Sequence, residues 1–271
     1  MIGESCTFSL ISESFGNASR NPFFYKGCAY LPDLDELYTT SDLLQSTTSS
    51  RLPVILISKL SFRRASDSGL GSASTNLEAS SSASPVISVN WMKLRPPPSM
   101  PMPSGAIPYK SGVLYCSQGT LDPSSGGLYY MPLGKPPAPL VTNYFGKPFN
   151  SIQGVVEDKE GALWFTDSCA GCEQEIRPPP QLPNHVYWFH PTTGELRVVA
   201  DGLKRPSGVA LDPGENTLYV TDTEAARPGN EMASRRYVRV TYCFGGYIER
   251  QRGRGRRREK KKNELTETGC V

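Results

Sequence analysis

Apolar positions recur along this chain as paired short runs separated by polar turns. Four stretches share one pattern: a Gly, a short apolar strand, a turn, and a Leu-aromatic pair or its equivalent nine or ten residues after the Gly. They read Gly27 to Leu37-Tyr38-Thr39-Thr40, Gly105 to Leu114-Tyr115-Cys116-Ser117, Gly154 to Leu163-Trp164-Phe165-Thr166 and Gly208 to Leu218-Tyr219-Val220-Thr221. The turns are Asp33-Leu34-Asp35, Lys110-Ser111-Gly112, Asp158-Lys159-Glu160-Gly161 and Asp212-Pro213-Gly214-Glu215. Turn residues between two strand-like runs predict a hairpin. A hairpin repeated in this way marks a radial β-repeat, with a β-propeller as the leading candidate.

Second hairpins extend three of the units. His185-Val186-Tyr187-Trp188-Phe189-His190 and Glu195-Leu196-Arg197-Val198-Val199-Ala200 flank Pro191-Thr192-Thr193-Gly194, which predicts four strands for that unit. The Gly105 unit continues through Gly127-Leu128-Tyr129-Tyr130-Met131 and Pro139-Leu140-Val141-Thr142. The Gly27 unit continues through Pro53 to Leu60 and, after a Ser-rich stretch, through Val86-Ile87-Ser88-Val89. That stretch, Ser66 to Ser84 within a segment bounded at 64–84, is polar and of low complexity and reads as a loop inserted in the first blade. In the fourth unit the pattern stops after Thr221-Asp222-Thr223. The expectation is therefore an all-β propeller of four-stranded blades with about three and a half blades over residues 1–228, and a basic, disordered tail over 229–271.

A chain of 271 residues with 38% hydrophobic content can bury one sizeable core. Its 25 Gly and 24 Pro suit a turn-rich β fold. The net charge of +3 is concentrated in the basic run at 250–262, so the balance gives no reason to expect a nucleic-acid partner. That run reads as a solvated tail, because no aromatic residues interleave it. No apolar run has the length of a transmembrane helix, and the first residues lack the basic and apolar regions of a signal peptide. Seven Cys without framework spacing favour free thiols. Together these point to a cytoplasmic protein with no membrane partner.

Each candidate for chemistry has a structural alternative. Cys169-Ala170-Gly171-Cys172 has the C-x-x-C spacing, but no second ligand pair accompanies it, so structural or incidental thiols are expected. His185 and His190 frame a strand five residues apart, point to opposite faces and cannot share one metal. Asp167 and Asp222 close the second strand of their units. Such an Asp caps a tight turn through backbone N–H groups or acts as a catalytic carboxylate, and both residues stand as catalytic candidates.

The residues just before the repeat Gly are Lys26, Ser104, Gln153 and Ser207. The inner strand of each propeller blade lines the central channel, so these side chains are expected to converge on an axial pocket and bind a ligand there.

Phe149-Asn150-Ser151-Ile152-Gln153-Gly154 through Gly161-Ala162-Leu163-Trp164-Phe165-Thr166-Asp167 resembles the gluconolactonase/regucalcin (senescence-marker-protein-like) family. So do Arg177-Pro178-Pro179-Pro180-Gln181-Leu182-Pro183-Asn184-His185-Val186-Tyr187 and Val198-Val199-Ala200-Asp201-Gly202-Leu203-Lys204-Arg205-Pro206-Ser207-Gly208. Tyr115-Cys116-Ser117-Gln118-Gly119 also fits, and the similarity is to the fungal-type branch in particular. The resemblance implies a six-bladed propeller that hydrolyses lactones with calcium or another divalent cation on its axis. It implies a Glu at the position of Lys26, an Asn at Gln153 and an Asn at Ser207, so this chain departs at each. An ammonium has no acceptor, and a +1 charge ~4 Å from a +2 ion repels it by roughly 8 kcal/mol at an effective dielectric near 20. No metal is therefore assigned. The first expectation is a lactone or ester hydrolase using the axial pocket. The alternatives are a non-catalytic propeller binding a small ligand or protein, and a truncated product whose basic tail comes from a missed splice junction.

Overall fold

A computed structural model describes residues 23–44, 53–65, 86–223, 236–243 and 247–253. The predicted hairpins assemble into four antiparallel sheets of four strands, each in chain order. The first blade comprises β1 (Lys26–Leu31), β2 (Glu36–Thr40), β3 (Ile57–Arg64) and β4 (Val86–Leu94). The second comprises β5 (Pro103–Tyr109), β6 (Gly112–Ser117), β7 (Gly127–Pro132) and β8 (Ala138–Val141). A small hairpin of β9 (Asn143–Tyr144) and β10 (Lys147–Pro148) leads to the third. That blade holds β11 (Ile152–Glu157), β12 (Leu163–Asp167), β13 (His185–His190) and β14 (Glu195–Ala200), with the short helix α1 (Ala170–Glu173) after β12. The fourth holds β15 (Pro206–Leu211), β16 (Thr217–Asp222), β17 (Arg236–Cys243) and β18 (Tyr247–Gly253).

The fourth blade differs from the sequence expectation. Its third and fourth strands come from the stretch expected to be tail: β17 pairs with β16, and β18 with β17. Three and a half blades thus become four sheets. The physical reason is the unpaired backbone that β16 would otherwise present, together with the β-prone residue types of Tyr237-Val238-Arg239-Val240-Thr241-Tyr242. The Ser-rich stretch from 66 to 84 and the basic run from 254 onward lie outside the described residues.

Blades meet through their inner strands: β1 packs on β5, β5 on β11 and β11 on β15. The repeat Gly makes this approach possible. A Cβ on Gly105 would stand 2.5 Å from the Gln153 carbonyl oxygen, and one on Gly154 would stand 2.6 Å from that of Ser207. Among the described residues, a Cβ on Gly208 would meet only Thr221 of its own sheet, at 3.0 Å. A hydroxyl joins two of the junctions. Thr40 Oγ1 donates to the Ser104 carbonyl at 2.6 Å, and Thr166 Oγ1 to the Ser207 carbonyl at 2.6 Å.

Apolar clusters fill the wedges between blades. Leu114, Cys116 and Leu128 of the second blade pack with Phe149, Ile152, Leu163, Phe165 and Tyr187 of the third and its approach. Phe165 and Tyr187 stack with ring centroids 5.3 Å apart. Ala29, Tyr38 and Ile57 meet Val113 and Tyr115 between the first and second blades. Trp164, Val186 and Val199 meet Leu218 and Val220 between the third and fourth. Among the described residues, no helix is long and apolar enough to cross a membrane.

Candidate functional site

Lys26, Ser104, Gln153 and Ser207 lie on the inner strands β1, β5, β11 and β15, and all four line one cavity of about 230 Å³. Lys26 Nζ donates to Gln153 Oε1 at 2.8 Å and so links the first blade to the third. Ser104 Oγ donates to the same oxygen at 3.4 Å. Gln153 Nε2 donates to Gln118 Oε1 and to Ser151 Oγ, both at 2.8 Å, and Ser151 Oγ donates to Gln118 Oε1 at 2.9 Å. The amide of Gln153 is therefore oriented by its neighbours on both sides. Burial is the main cause that holds Lys26 below the usual lysine range; Arg205 adds to the effect and Asp42 opposes it.

Sequence reasoning did not single out Asp42, Gln118 or Arg205, and each lines this cavity. A signal for two of them was present. Ser41 and Asp42, Gln118, Ser168 and Thr223 follow the second strand of their blades by one or two residues, and all line the cavity. Carrying the repeat alignment two residues past the Leu-aromatic pair and its two followers reaches them. Arg205 lies two residues before Ser207 and is held by Glu173 of α1, with Nη1 and Oε2 3.2 Å apart. No repeat position announces it.

The two aspartates considered for catalysis are placed elsewhere. Asp167 is fully buried, and its Oδ1 and Oδ2 accept from the backbone N–H groups of Ser151 at 2.6 Å and Asn150 at 2.9 Å. Burial pushes its carboxyl up to about 7, against the pull of those N–H groups. Asp222 accepts from the backbone of Lys204 at 3.2 Å and Arg205 at 2.7 Å. Both tie the end of the second strand to the segment that leads into the first, and neither lines the cavity. Their carboxylates thus have backbone N–H partners of the kind expected of a turn-capping Asp.

The remaining candidates are also accounted for locally. Cys169 and Cys172 are unpaired thiols at α1; Cys169 Sγ donates to Glu173 Oε1 at 3.4 Å, and burial raises its pKa. His185 Nδ1 meets the Tyr187 hydroxyl at 3.2 Å, and His190 Nδ1 accepts from the Thr193 N–H in the following turn.

A calcium ion needs six to eight oxygens, usually with carboxylates among them. Here an ammonium occupies the Gln153 oxygen, and among the described residues Asp42 is the only acidic one in the lining. Among the described residues no group of three or more His, Cys, Asp or Glu is placed to hold a metal. The donor set at this cavity does not fit a divalent cation.

Four-stranded blades packed inner strand against inner strand around a polar cavity define a β-propeller architecture. Within it, residues 100–228 match the SMP-30/Gluconolactonase/LRE-like region. It is 34% identical to the lactonohydrolase oryL of Aspergillus oryzae over 43% of this chain and 29% of that protein. It is 39% identical to a gluconolactonase of Zymomonas mobilis over 33% of this chain and 25% of that protein. The chain thus spans less than a third of either relative. A gluconolactonase from Xanthomonas campestris shares the fold, with a TM-score of 0.57 at 20% identity over 85% of this chain and 62% of that one.

Proposed function

We propose that the axial cavity takes a lactone or ester and that Lys26 serves there as the fixed cation. The observation that carries this reading is the bond from Lys26 Nζ to Gln153 Oε1 at 2.8 Å, which holds an ammonium in the cavity that Ser104 and Ser207 also line. An ammonium carries three donors. With one on Gln153, the others can donate to a ligand carbonyl. As water adds to that carbonyl its oxygen gains negative charge, and a preplaced cation stabilises the charge. Asp42, the carboxylate of the lining, takes the proton from the attacking water. The ring C–O bond then breaks as the intermediate's carbonyl re-forms, its oxygen takes the proton held by Asp42, and the hydroxy acid leaves with Asp42 again ionised. The names lactonohydrolase and gluconolactonase borne by the relatives support the substrate class.

The test is turnover of glucono-δ-lactone and δ-valerolactone by the purified chain, followed by titrating the acid released. Losing one oxyanion donor costs about 10²–10³ in rate, so Lys26→Met is expected to fall by that order. Asp42→Asn is expected to lose turnover while still binding the lactone. Turnover unchanged in Lys26→Met would remove this reading. Binding without turnover in the wild type would favour the non-catalytic, ligand-binding propeller instead.

A further inference from the structure

The axial cavity is lined by a second cation that the hydrolytic reading leaves without a task. Arg205 immediately precedes β15 of the fourth blade, and Lys26 opens β1 of the first, so two cations reach one cavity from different blades. Arg205 Nη1 lies 3.2 Å from Glu173 Oε2, and Glu173 is outside the lining. Among the described residues this is the guanidinium's one polar partner. A guanidinium carries five N–H donors in a planar fork, so Nε and Nη2 are left for a ligand. Asp42, the carboxylate of the lining, forms an ion pair with neither cation among the described residues. After burial, repulsion from Arg205 is a further cause that lowers the Lys26 pKa, so each cation feels the other's charge. Positive charge thus stands in the lining without a contacting carboxylate of the lining to neutralise it. Other polar groups there, among them Ser104, Gln174, Ser207 and Thr223, are uncharged.

We infer that Arg205 takes a carboxylate of the axial ligand, so that the preferred substrate class is a lactone or ester bearing a carboxylate apart from its reacting carbonyl. This rests on the axial reading above. Lys26 serves the reacting carbonyl, and Arg205 holds the distal group and takes no part in bond breaking. The fork of a guanidinium matches the two oxygens of a carboxylate. A phosphate fits less well, because it carries close to two charges at neutral pH and Arg205 offers one. A hydroxymethyl in the same place would leave the guanidinium without an anionic partner from the ligand.

The experiment compares kcat/KM of the full chain for D-glucaro-1,4-lactone and D-glucono-1,4-lactone, which differ only in a terminal carboxylate against a hydroxymethyl. The carboxylate-bearing lactone is expected to be preferred by about ten- to a hundredfold, the worth of hydrogen bonds to a charged group. In Arg205→Gln that ratio should fall to near one. Arg205→Lys keeps the charge without the fork and should give a ratio in between; it carries the test if the Gln variant does not fold. Lys204→Gln removes a neighbouring exposed charge outside the axial lining and should leave the ratio as it is. Equal turnover of the two lactones by the wild type would overturn the inference and leave the axial reading standing. So would a preference undiminished in the folded Arg205 variants, or one lost equally in Lys204→Gln. Absence of turnover with both lactones and with glucono-δ-lactone would overturn the axial reading and this inference with it.

Discussion

Arg177 spends its guanidinium on backbone carbonyls. Nε donates to Asn150 O, Nη1 to Thr120 O and Asp122 O, and Nη2 to Phe149 O and Pro123 O, at 2.7–3.0 Å. It is 4% exposed and pins the loop after β6 to the segment entering β11. Removing it orphans several buried acceptors at about 1–3 kcal/mol each, so Arg177→Met should lower unfolding free energy by about 3 kcal/mol or more in urea titrations. Lys26 gives a pH signature of definite sign. Its folded pKa lies below the ordinary lysine value of 10.5. Between those two values the unfolded chain binds a proton that the folded chain does not, so stability rises with pH across that window. Lys26→Met should flatten this part of the stability profile, measured by urea unfolding at stepped pH; an unaltered slope would show that Lys26 does not cause it.

At the scale of elements, the repeat Gly is a spacing device between neighbouring inner strands. Gly105→Ala and Gly154→Ala drive a Cβ into the carbonyl oxygen of the next blade, and overpacking of this kind typically costs about 1–3 kcal/mol. Gly208→Ala meets only the Thr221 side chain and should cost under about 1 kcal/mol. Equal losses at all three positions, read by thermal unfolding, would contradict the spacing role. These hairpins were legible because each unit repeats Gly, apolar run, polar turn and Leu-aromatic pair. The third blade reads from His185 to Ala200 with the bounds that β13 and β14 adopt. The outer half of the fourth blade was not legible. β17 and β18 carry neither the repeat Gly nor a Leu-aromatic pair, and basic residues that resemble a solvated tail lie within β18. Their pairing depends on the long-range demand of the β16 edge, which a local pattern does not contain.

For the molecule as a whole, one end of each inner strand contributes to a single polar cavity. The convergence of Lys26, Ser104, Gln153 and Ser207 followed from the repeat alone. The contributions of Asp42 and Gln118 required the register beyond the second strands, and that of Arg205 required the three-dimensional position of α1. Asp167 and Asp222 drew attention as carboxylates at strand ends, yet their register turns them to the backbone that enters the blade. Among the described residues, the cavity lining holds one carboxylate, Asp42, beside two basic residues, Lys26 and Arg205. Such a balance suits an anionic transition state or a hydroxy-acid product better than a divalent cation. The central claim is that an ammonium, and no bound divalent ion, provides the positive charge of this site. The most direct test is lactone turnover by the wild-type chain in excess chelator and then with calcium restored. Turnover that is unchanged by either addition and is lost in Lys26→Met is the predicted result. Turnover abolished by chelator and recovered with calcium would contradict it.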